Sequence, residues 1–470
     1  MGLGHRRSPN LFSWTLLSFS PTFRRIDAQI RAAQTGSQLR KILNSAKQVA
    51  RDAIRDAGHS DTVSQALALK LINASLSRVE FSARRIDIAS RPFGLELDPC
   101  NACTLACPGC VHSRRDLFDW PNGMLSPDRM ADFLRRYGPY AVQALFCNYG
   151  EPLLNPKTPE YIRSAKRYLV QTTISTSLSI QHFDADAYVQ SGLDYMIVSI
   201  DGATQPTYER FRKNGNIELV SDNLRRLIAA RDRAESQFPV IAWQFLAFEH
   251  NRHEIPAAIE LATELGLNEI RISEPFDVTW DDPSIRPAAH VPGQIIQLQP
   301  IYPEDYSANW NPFPDELESE SIQQVFDEAW PIHSNGPLTR PSHGHTCHWL
   351  YMNTIIDAKG RILPCCSAPA PDFNLTFGHL DPASPTPDLF NTPLHHQART
   401  HFANGLDQVG GPHCQKCEWT EAQRQPDIDP THLGQYAAAI FPEVLDSETR
   451  NWLSDWSTKS AENSVQAGSR

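Results

Sequence analysis

The stretch "FGLELDPCNACTLACPGC" (residues 93–110) joins a short apolar run to four closely spaced thiols. The apolar run, residues 93–97, reads as a strand. Cys100, Cys103, Cys107 and Cys110 follow it with gaps of two, three and two residues. Four thiols in so short a loop suit a metal ion or an iron–sulfur cluster. Cys103, Cys107 and Cys110 alone form C-x3-C-x2-C, a three-thiolate set. Three thiolates on a 4Fe–4S cluster leave its fourth iron open to a small chelating molecule. A zinc knuckle using all four thiols is the competing reading.

Outward from this loop, apolar strands alternate with amphipathic helices. The predicted strands are 93–97, 142–148, 170–176, 195–200, 240–248 and 269–273. Between them lie helical stretches such as "SPDRMADFLRRYG", with Ser126 as N-cap and Pro127 in the first turn. "HEIPAAIELATELG" is another, closed by Gly266. Six alternating strands and helices predict a parallel α/β sheet rolled into a partial (β/α)6 TIM-like barrel. In barrels the C-terminal strand ends carry the site.

The 470-residue chain has 41% hydrophobic and 21% charged residues, ordinary for a globular protein. Its net charge of −11 argues against a nucleic-acid partner. No stretch is long enough for a membrane span. "NLFSWTLLSFSPTF" (residues 10–23) mimics a signal peptide but lacks a small-residue cleavage pattern. The ten cysteines cluster instead of spreading evenly, which fits cofactor ligation in a reducing compartment and a cytoplasmic location.

Five regions are expected. Residues 1–90 form a helical N-terminal extension, and residues 91–282 the barrel. Residues 283–345, with ten prolines between 283 and 341, form an irregular linker or covering loop. Residues 346–425 form a small cysteine-bearing domain, and 426–470 a C-terminal tail. In the small domain, "NTIIDAKGRILPCC" reads as two strands around a turn at Ala358-Lys359-Gly360.

Several motifs together resemble the radical S-adenosylmethionine superfamily. "CTLACPGC" is similar to that family's cluster loop. "YGEP" (149–152) is similar to its Gly-Glu motif, which implies that Glu151 binds the methionyl amine. "ISTS" (174–177) implies Ser175 and Ser177 near the ribose. "SIDGATQPTYERFR" (199–212) implies Ser199 and Asp201 beside the cofactor and Arg212 near its carboxylate. The resemblance covers about residues 93–275 and 345–420. It implies that Cys103, Cys107 and Cys110 hold a catalytic 4Fe–4S cluster, with Cys100 outside the set. Such a site generates a 5′-deoxyadenosyl radical, using an electron donor such as flavodoxin or ferredoxin.

Cys347, Cys365, Cys414 and Cys417, with offsets of 18, 49 and 3, resemble a C-terminal SPASM or twitch domain. This implies a second, fully ligated 4Fe–4S cluster that accepts electrons. Cys366 competes with Cys365 as ligand, but adjacent strand residues face opposite ways. A structural zinc ribbon is the alternative for this set. The expected activity is oxidation of a small polar metabolite by a radical oxidoreductase. Modification of a peptide side chain, docked through residues 24–90, ranks second. A non-catalytic iron–sulfur or zinc protein ranks third.

Two further residues are candidate catalytic groups. Cys147 lies three residues before Gly150 and offers a hydrogen atom or a proton. His250, in "FEHNRHE" (248–254), is a candidate acid or base, with Asn251 as a helix-capping residue.

Overall fold

The computed structural model describes residues 21–56, 58–113, 122–275, 282–289, 293–299, 309–328, 347–365, 376–383 and 388–404, plus residues 291, 301, 305 and 330. Among these residues ten strands form one open sheet. They are β1 (Gly94–Leu97), β2 (Gln143–Phe146), β3 (Gln171–Thr176), β4 (Tyr195–Ser199), β5 (Val240–Leu246), β6 (Glu269–Ser273), β7 (Gln294–Gln297), β8 (Asn353–Ile356), β9 (Arg361–Leu363) and β10 (Gly378–His379). Their order is β10-β9-β8-β1-β2-β3-β4-β5-β6-β7.

The six predicted barrel strands are β1 to β6, and each pairs in parallel with the next. The sheet stays unclosed, the partial barrel expected from the alternation. Helices α4 (Pro127–Tyr137), α5 (Thr158–Lys166), α6 (Ala185–Gln190), α7 (Gln205–Phe211), α8 (Ile217–Arg233) and α9 (Ile255–Glu264) run between the strands. Ser126 caps α4 by accepting from the Arg129 amide at 3.4 Å, with Pro127 in the first turn. Gly266 follows α9 at φ 75°, a left-handed position that glycine takes without strain.

Strand register separates two faces. Thr173 pairs with Tyr195, and Ile197 with Ala242. Paired residues of parallel strands point the same way, so these lie on one face with Gln143, Ser175, Ser199 and Gln244. Most of the half-buried strand residues are on this face. The opposite face carries Phe146, Ile174, Val198, Trp243, Phe245 and Ile272, all buried in the core that Ile162, Leu224, Leu227 and Ala258 of the helices complete. The helix-covered face is therefore the outside, and the half-buried polar face is the barrel lumen. A lumen of this chemistry holds polar contacts instead of a dry core.

The N-terminal region is helical, as expected: α1 (Pro21–Ala32), α2 (Gly36–Asp56) and α3 (Asp61–Ser82). Ser60 caps α3 at the Val63 amide. Helix α3 is buried over most of its length among α1, α2 and the helices Ser319–Asp327 and Trp349–Met352, and Asn73 donates to Arg91 O at 2.9 Å just before β1. Lys70, 2% exposed, donates to the carbonyls of Gly138 and Ala141 just before β2. Burial lowers this ammonium to about 7. Ser77 donates to Tyr351 O at 2.8 Å.

Part of the Pro-rich stretch is regular, against expectation. It supplies β7, antiparallel to β6, and helix α10 (Ser319–Asp327). Ile296, Ile322 and Phe326 are buried, and these apolar anchors overcome the surrounding prolines. After it come α11 (Trp349–Met352), β8, β9, β10 and α12 (Pro393–Asn404). The hairpin expected around residues 358–360 forms, with Gly360 at φ 87°. Strand β8 also pairs in parallel with β1, so the hairpin extends the barrel sheet. The first twenty residues, Cys366, Cys414, Cys417 and the tail lie outside the described residues.

Candidate active site

Strand β1 delivers the chain to the mouth of the lumen, where the cysteine loop begins. Cys110 N donates to Cys107 O at 3.1 Å, and Ser113 N to Cys110 O at 2.9 Å. Gly109 makes the turn at φ 76°. Ala106 N donates to Lys213 O, which ties the loop to the segment after α7. Cys103, Cys107 and Cys110 pack against Leu105, Phe211, Phe248 and Ile285. This apolar wall raises all three thiols, Cys103 to about 12 and Cys107 to about 11.

Cys100 is buried beside Asp98 and Glu151. Its Sγ accepts from the Ala102 amide at 3.4 Å, and its backbone forms a bridge to Met124. Among the described residues, no three Cys, His, Asp or Glu side chains gather on one point as a single metal ion requires. The three loop thiols sense one another electrostatically within one apolar hollow. A donor set of three soft sulfurs spread over a hollow fits an iron–sulfur cluster, whose ligands sit on separate irons.

Glu151 enters from the turn after β2. Gly150 makes the approach possible, because a Cβ there would sit 1.7 Å from Cys100 O. Glu151 N donates to Ala102 O at 2.8 Å. Its carboxylate, 2% exposed, accepts from Thr176 Oγ1 at 2.5 Å, Ser177 Oγ at 2.6 Å, Ser177 N at 2.9 Å and Leu153 N at 3.3 Å. The sequence pointed to Ser177 but missed Thr176, which the last turn of β3 brings to the same carboxylate. Ser175 and Ser199 lie on the lumen face of β3 and β4.

Asp201 follows β4 and is fully buried. Its Oδ1 accepts from Leu246 N at 2.7 Å, and its Oδ2 receives Arg212 Nε at 2.5 Å. Arg212 Nη1 lies 3.9 Å from Cys107 Sγ. Burial opposes the charge on Arg212, but the Asp201 carboxylate and the Cys107 sulfur outweigh it and keep the guanidinium protonated. The structure thus brings together Cys103, Cys107, Cys110, Asp201 and Arg212, and joins Glu151 to the same loop.

Asp98 is a further residue the sequence reading missed. It is 1% exposed and faces the turn that carries Glu151, with Gly150 N donating to Oδ1 at 3.4 Å. Burial lifts Asp98 to about 7, against the pull of the backbone amides of Gly150, Tyr149 and Asn148. Glu96, also on the lumen face of β1, is lifted to about 8 by burial and by Asp98. A polar residue alternating with apolar ones in "LELD" was the available signal.

Cys147 lies one lumen-facing position beyond Leu145, beside Asp98 on the next strand. Burial, then the carboxyls of Asp98, Glu151 and Glu96, hold its thiol protonated. His250 stacks on Phe248 with ring centroids 5.4 Å apart, and among the described residues neither ring nitrogen has a hydrogen-bond partner. Burial and the nearby Arg210 and His253 lower it to about 4, so the ring is neutral at physiological pH. Asn251 sits at the N-cap position of the short 3-10 turn Arg252–Glu254, as expected, but its side chain makes no capping bond. Its carbonyl oxygen accepts from Phe248 N, and its amide donates to Asp201 O and Leu246 O. Tying the ends of β4 and β5 satisfies more groups than one cap would.

In the C-terminal region Cys347 and Cys365 both pack against Trp349, Ile355 and Leu363. The structure therefore brings two of the four expected auxiliary ligands to one cluster of side chains.

This mouth, with its thiol triad and its acid–guanidinium pair at the strand ends, agrees with a match of residues 97–241 to the Radical SAM superfamily. The chain carries a radical S-adenosylmethionine domain, whose family uses a 4Fe–4S cluster and S-adenosylmethionine. It is 28% identical over 205 residues to GTP 3′,8-cyclase of Chlorobaculum tepidum, covering 42% of this chain and 59% of that protein. It is 24% identical over 177 residues to probable GTP 3′,8-cyclase of Methanococcus maripaludis, covering 37% and 56%. The aligned region thus spans less than two thirds of these relatives. Streptococcus suis SuiB bound to S-adenosylmethionine superposes with a TM-score of 0.43 at 12% identity, covering 76% of this chain and 77% of SuiB. Among the described residues no helix is long and apolar enough to cross a membrane.

Proposed function

We propose that the protein is a radical S-adenosylmethionine oxidoreductase that dehydrogenates a small polar metabolite. The observation that carries this reading is the meeting of Cys103, Cys107 and Cys110 with the Asp201–Arg212 pair at the mouth of a polar lumen. The three thiols would hold the cluster, with Cys100 outside the set. Bound there, a reduced cluster and S-adenosylmethionine supply a 5′-deoxyadenosyl radical that takes hydrogen from an unactivated C–H bond.

The chain's own residues orient and enclose. Glu151, fixed by Thr176 and Ser177, presents a carboxylate to the methionyl ammonium. Ser175 and Ser199 offer hydroxyls near the ribose. Arg212, held by Asp201, offers charge to the cofactor carboxylate. Phe211 and Phe248 keep water from the thiols. Cys147 keeps its S–H proton and fits a hydrogen-atom or proton donor. His250, neutral near pH 7, fits a proton acceptor. Cys347 and Cys365, with Cys414 and Cys417, would hold a second 4Fe–4S cluster that removes the substrate's electron. A flavodoxin or ferredoxin in the cytoplasm would supply the reducing electron.

The name of the curated relatives, GTP 3′,8-cyclase, favours a second reading, radical rearrangement of a nucleotide. Peptide modification ranks lower, because α3, in the region assigned to docking, is buried over most of its length. The test is anaerobic reconstitution. About eight irons per chain, as two 4Fe–4S clusters require, support the reading. Deuterium passing from a labelled substrate into 5′-deoxyadenosine identifies the oxidised carbon. About four irons with zinc contradict the oxidase.

A further inference from the structure

The folded chain uses the Asp98 carboxyl only in part. The Asp98 amide donates to Ile356 O at 2.9 Å, one step beyond the end of β1. The strand alternation therefore continues, and Asp98 takes the lumen side with Glu96. It is 1% exposed, and its Oδ1 accepts from Gly150 N at 3.4 Å. Oδ2 is enclosed and has no hydrogen-bond partner among the described residues. The Tyr149 and Asn148 amides pull on the carboxyl without closing a bond on Oδ2. A buried acceptor in this state suits a proton or a ligand's donor group.

The neighbouring carboxyls are held differently. On the β8 side, Asp357 Oδ1 accepts from Lys359 N at 2.9 Å and Arg361 N at 2.8 Å, and its Oδ2 from Arg361 Nε at 2.6 Å. Glu151 is taken by Thr176, Ser177 and Leu153. Cys147 marks where Asp98 meets the radical site. After burial, Asp98, Glu151, Glu96 and Cys103 all raise its thiol, in that order. One side chain therefore connects Asp98 to the Glu151 turn and to the first thiol.

Dehydrogenation requires a proton acceptor at this place. When a 5′-deoxyadenosyl radical takes hydrogen from a carbon bearing a hydroxyl, that C–H bond breaks and a C–H bond of 5′-deoxyadenosine forms. To become a carbonyl, the carbon radical must still lose its O–H proton and one electron. The oxidised second 4Fe–4S cluster is the electron acceptor, and the proton goes to a base. An amine follows the same count through its N–H, and water hydrolyses the imine to the carbonyl.

We propose that Asp98 is this base: Oδ2 accepts the hydroxyl or amine proton of a substrate whose reacting hydrogen lies on the carbon bearing that group. The inference rests on the radical reading above and names a residue and a substrate feature for it. Burial lifts the Asp98 carboxyl to about 7, near the operating pH where a general base works best. His250, lowered to about 4, holds a proton less well. Support of the Glu151 turn and proton acceptance fall to separate oxygens of one side chain.

Reduced holoenzyme with both clusters and S-adenosylmethionine is given a small-molecule ultrafiltrate of the protein's native cells. 5′-Deoxyadenosine is quantified, and new carbonyl groups are trapped as hydrazones. Wild type should form carbonyl in step with the stimulated 5′-deoxyadenosine. Asp98→Asn should keep its iron and release 5′-deoxyadenosine, but form carbonyl about a hundredfold more slowly, the share of a general base. Wild-type kcat/KM for carbonyl should fall as pH drops through about 7, and Asp98→Asn should lack this limb. Glu96, Cys100, Cys147, Glu151 and Asp357 face the same carboxyl and stay in the variant, so a limb of theirs would persist. In protein without substrate, the infrared band of a protonated carboxylic acid, shifted by 13C-labelled aspartate, should fade over the same range. Where Asp98→Asn loses iron, the wild-type limb and this band decide. Undiminished carbonyl in Asp98→Asn, a limb near 4 as for His250, or no aspartate band near pH 7 overturns the proposal. Stimulation without new carbonyl, or no stimulation by the ultrafiltrate, overturns it as well. Wild-type protein that releases no 5′-deoxyadenosine under any condition overturns the radical reading itself.

Discussion

The two cysteine regions differ in how their parts are held. In the first, three thiols lie within eight residues, and their partners arrive from the ends of other strands: Glu151 after β2, Thr176 and Ser177 at β3, Asp201 after β4 and Phe248 after β5. In the second, Cys347 and Cys365 are separated by a helix and two strands with the turn between them, and meet on Trp349, Ile355 and Leu363. A compact loop fixes its own chemistry and uses the barrel to supply partners. A dispersed set depends on the hairpin docking beside β1. The first region should therefore control radical formation, and the second what becomes of the substrate.

The largest effect expected separates the regions directly. Alanine at Cys107 or Cys110 should lower 5′-deoxyadenosine release by about a thousandfold or more, and alanine at Cys347 or Cys365 by less than about tenfold. The Cys347→Ala and Cys365→Ala proteins should instead lose about four of about eight irons and stop releasing oxidised product. Loss of release in all four variants would erase the distinction.

A steric comparison comes next. Gly150→Ala places a Cβ 1.7 Å from Cys100 O, a backbone atom that cannot turn aside. Overpacking of this kind costs about 1–3 kcal/mol or more, and the melting temperature should fall by several degrees. Gly378→Ala, in β10, meets two side-chain methyls, Leu389 Cδ2 at 3.0 Å and Thr392 Cγ2 at 3.7 Å, and should change the melting temperature little. Equal shifts would mean that the Gly150 approach is not tight in the folded protein.

Asp98 sharpens the first region from within. Asp98→Ala should raise the KM for S-adenosylmethionine about tenfold with unchanged iron, because the Asn148–Gly150 turn loses its acceptor. Asp98→Asn keeps an acceptor for Gly150 N and should recover most of the wild-type value. Equal KM in both variants would remove Asp98 from the positioning of Glu151.

The smallest effect concerns pH. Glu96 and Asp98 are lifted to about 8 and about 7 when folded, from ordinary values of 4.5 and 3.8. Groups raised on folding add stability below their unfolded values and lose it as pH rises through the folded ones. Stability should therefore decline between about pH 4 and 8. Glu96→Gln should flatten that decline by at most a few kcal/mol, read from denaturant unfolding across this range. An unchanged slope would show that Glu96 titrates normally.

How legible these features were follows from the same contrast. All six barrel strands were readable, because apolar runs bounded by helix caps and glycines are local signals. The spacing of the cysteine triad was also a local signal, whereas the Gly-Glu turn and the Asp201–Arg212 segment were read from their resemblance to a known family's motifs. Thr176 was missed in favour of its serine neighbours, since only the position of Glu151 decides which hydroxyls reach it. Asn251 holds the cap position its sequence suggested, but its side-chain bonds run to Asp201 and Leu246, contacts that no local rule carries. Strand β7 was hidden among prolines, and the pairing of β8 with β1 is a contact between residues too distant for any local pattern to carry.

The most direct measurement compares one thiol of the first loop with its neighbour. Reconstituted protein is reduced with dithionite in the presence of S-adenosylmethionine, and 5′-deoxyadenosine is quantified. Wild type and Cys100→Ala should both release it, and Cys103→Ala should release none. Release from Cys103→Ala, or none from wild type, would contradict the assignment of three thiols to a radical-generating site.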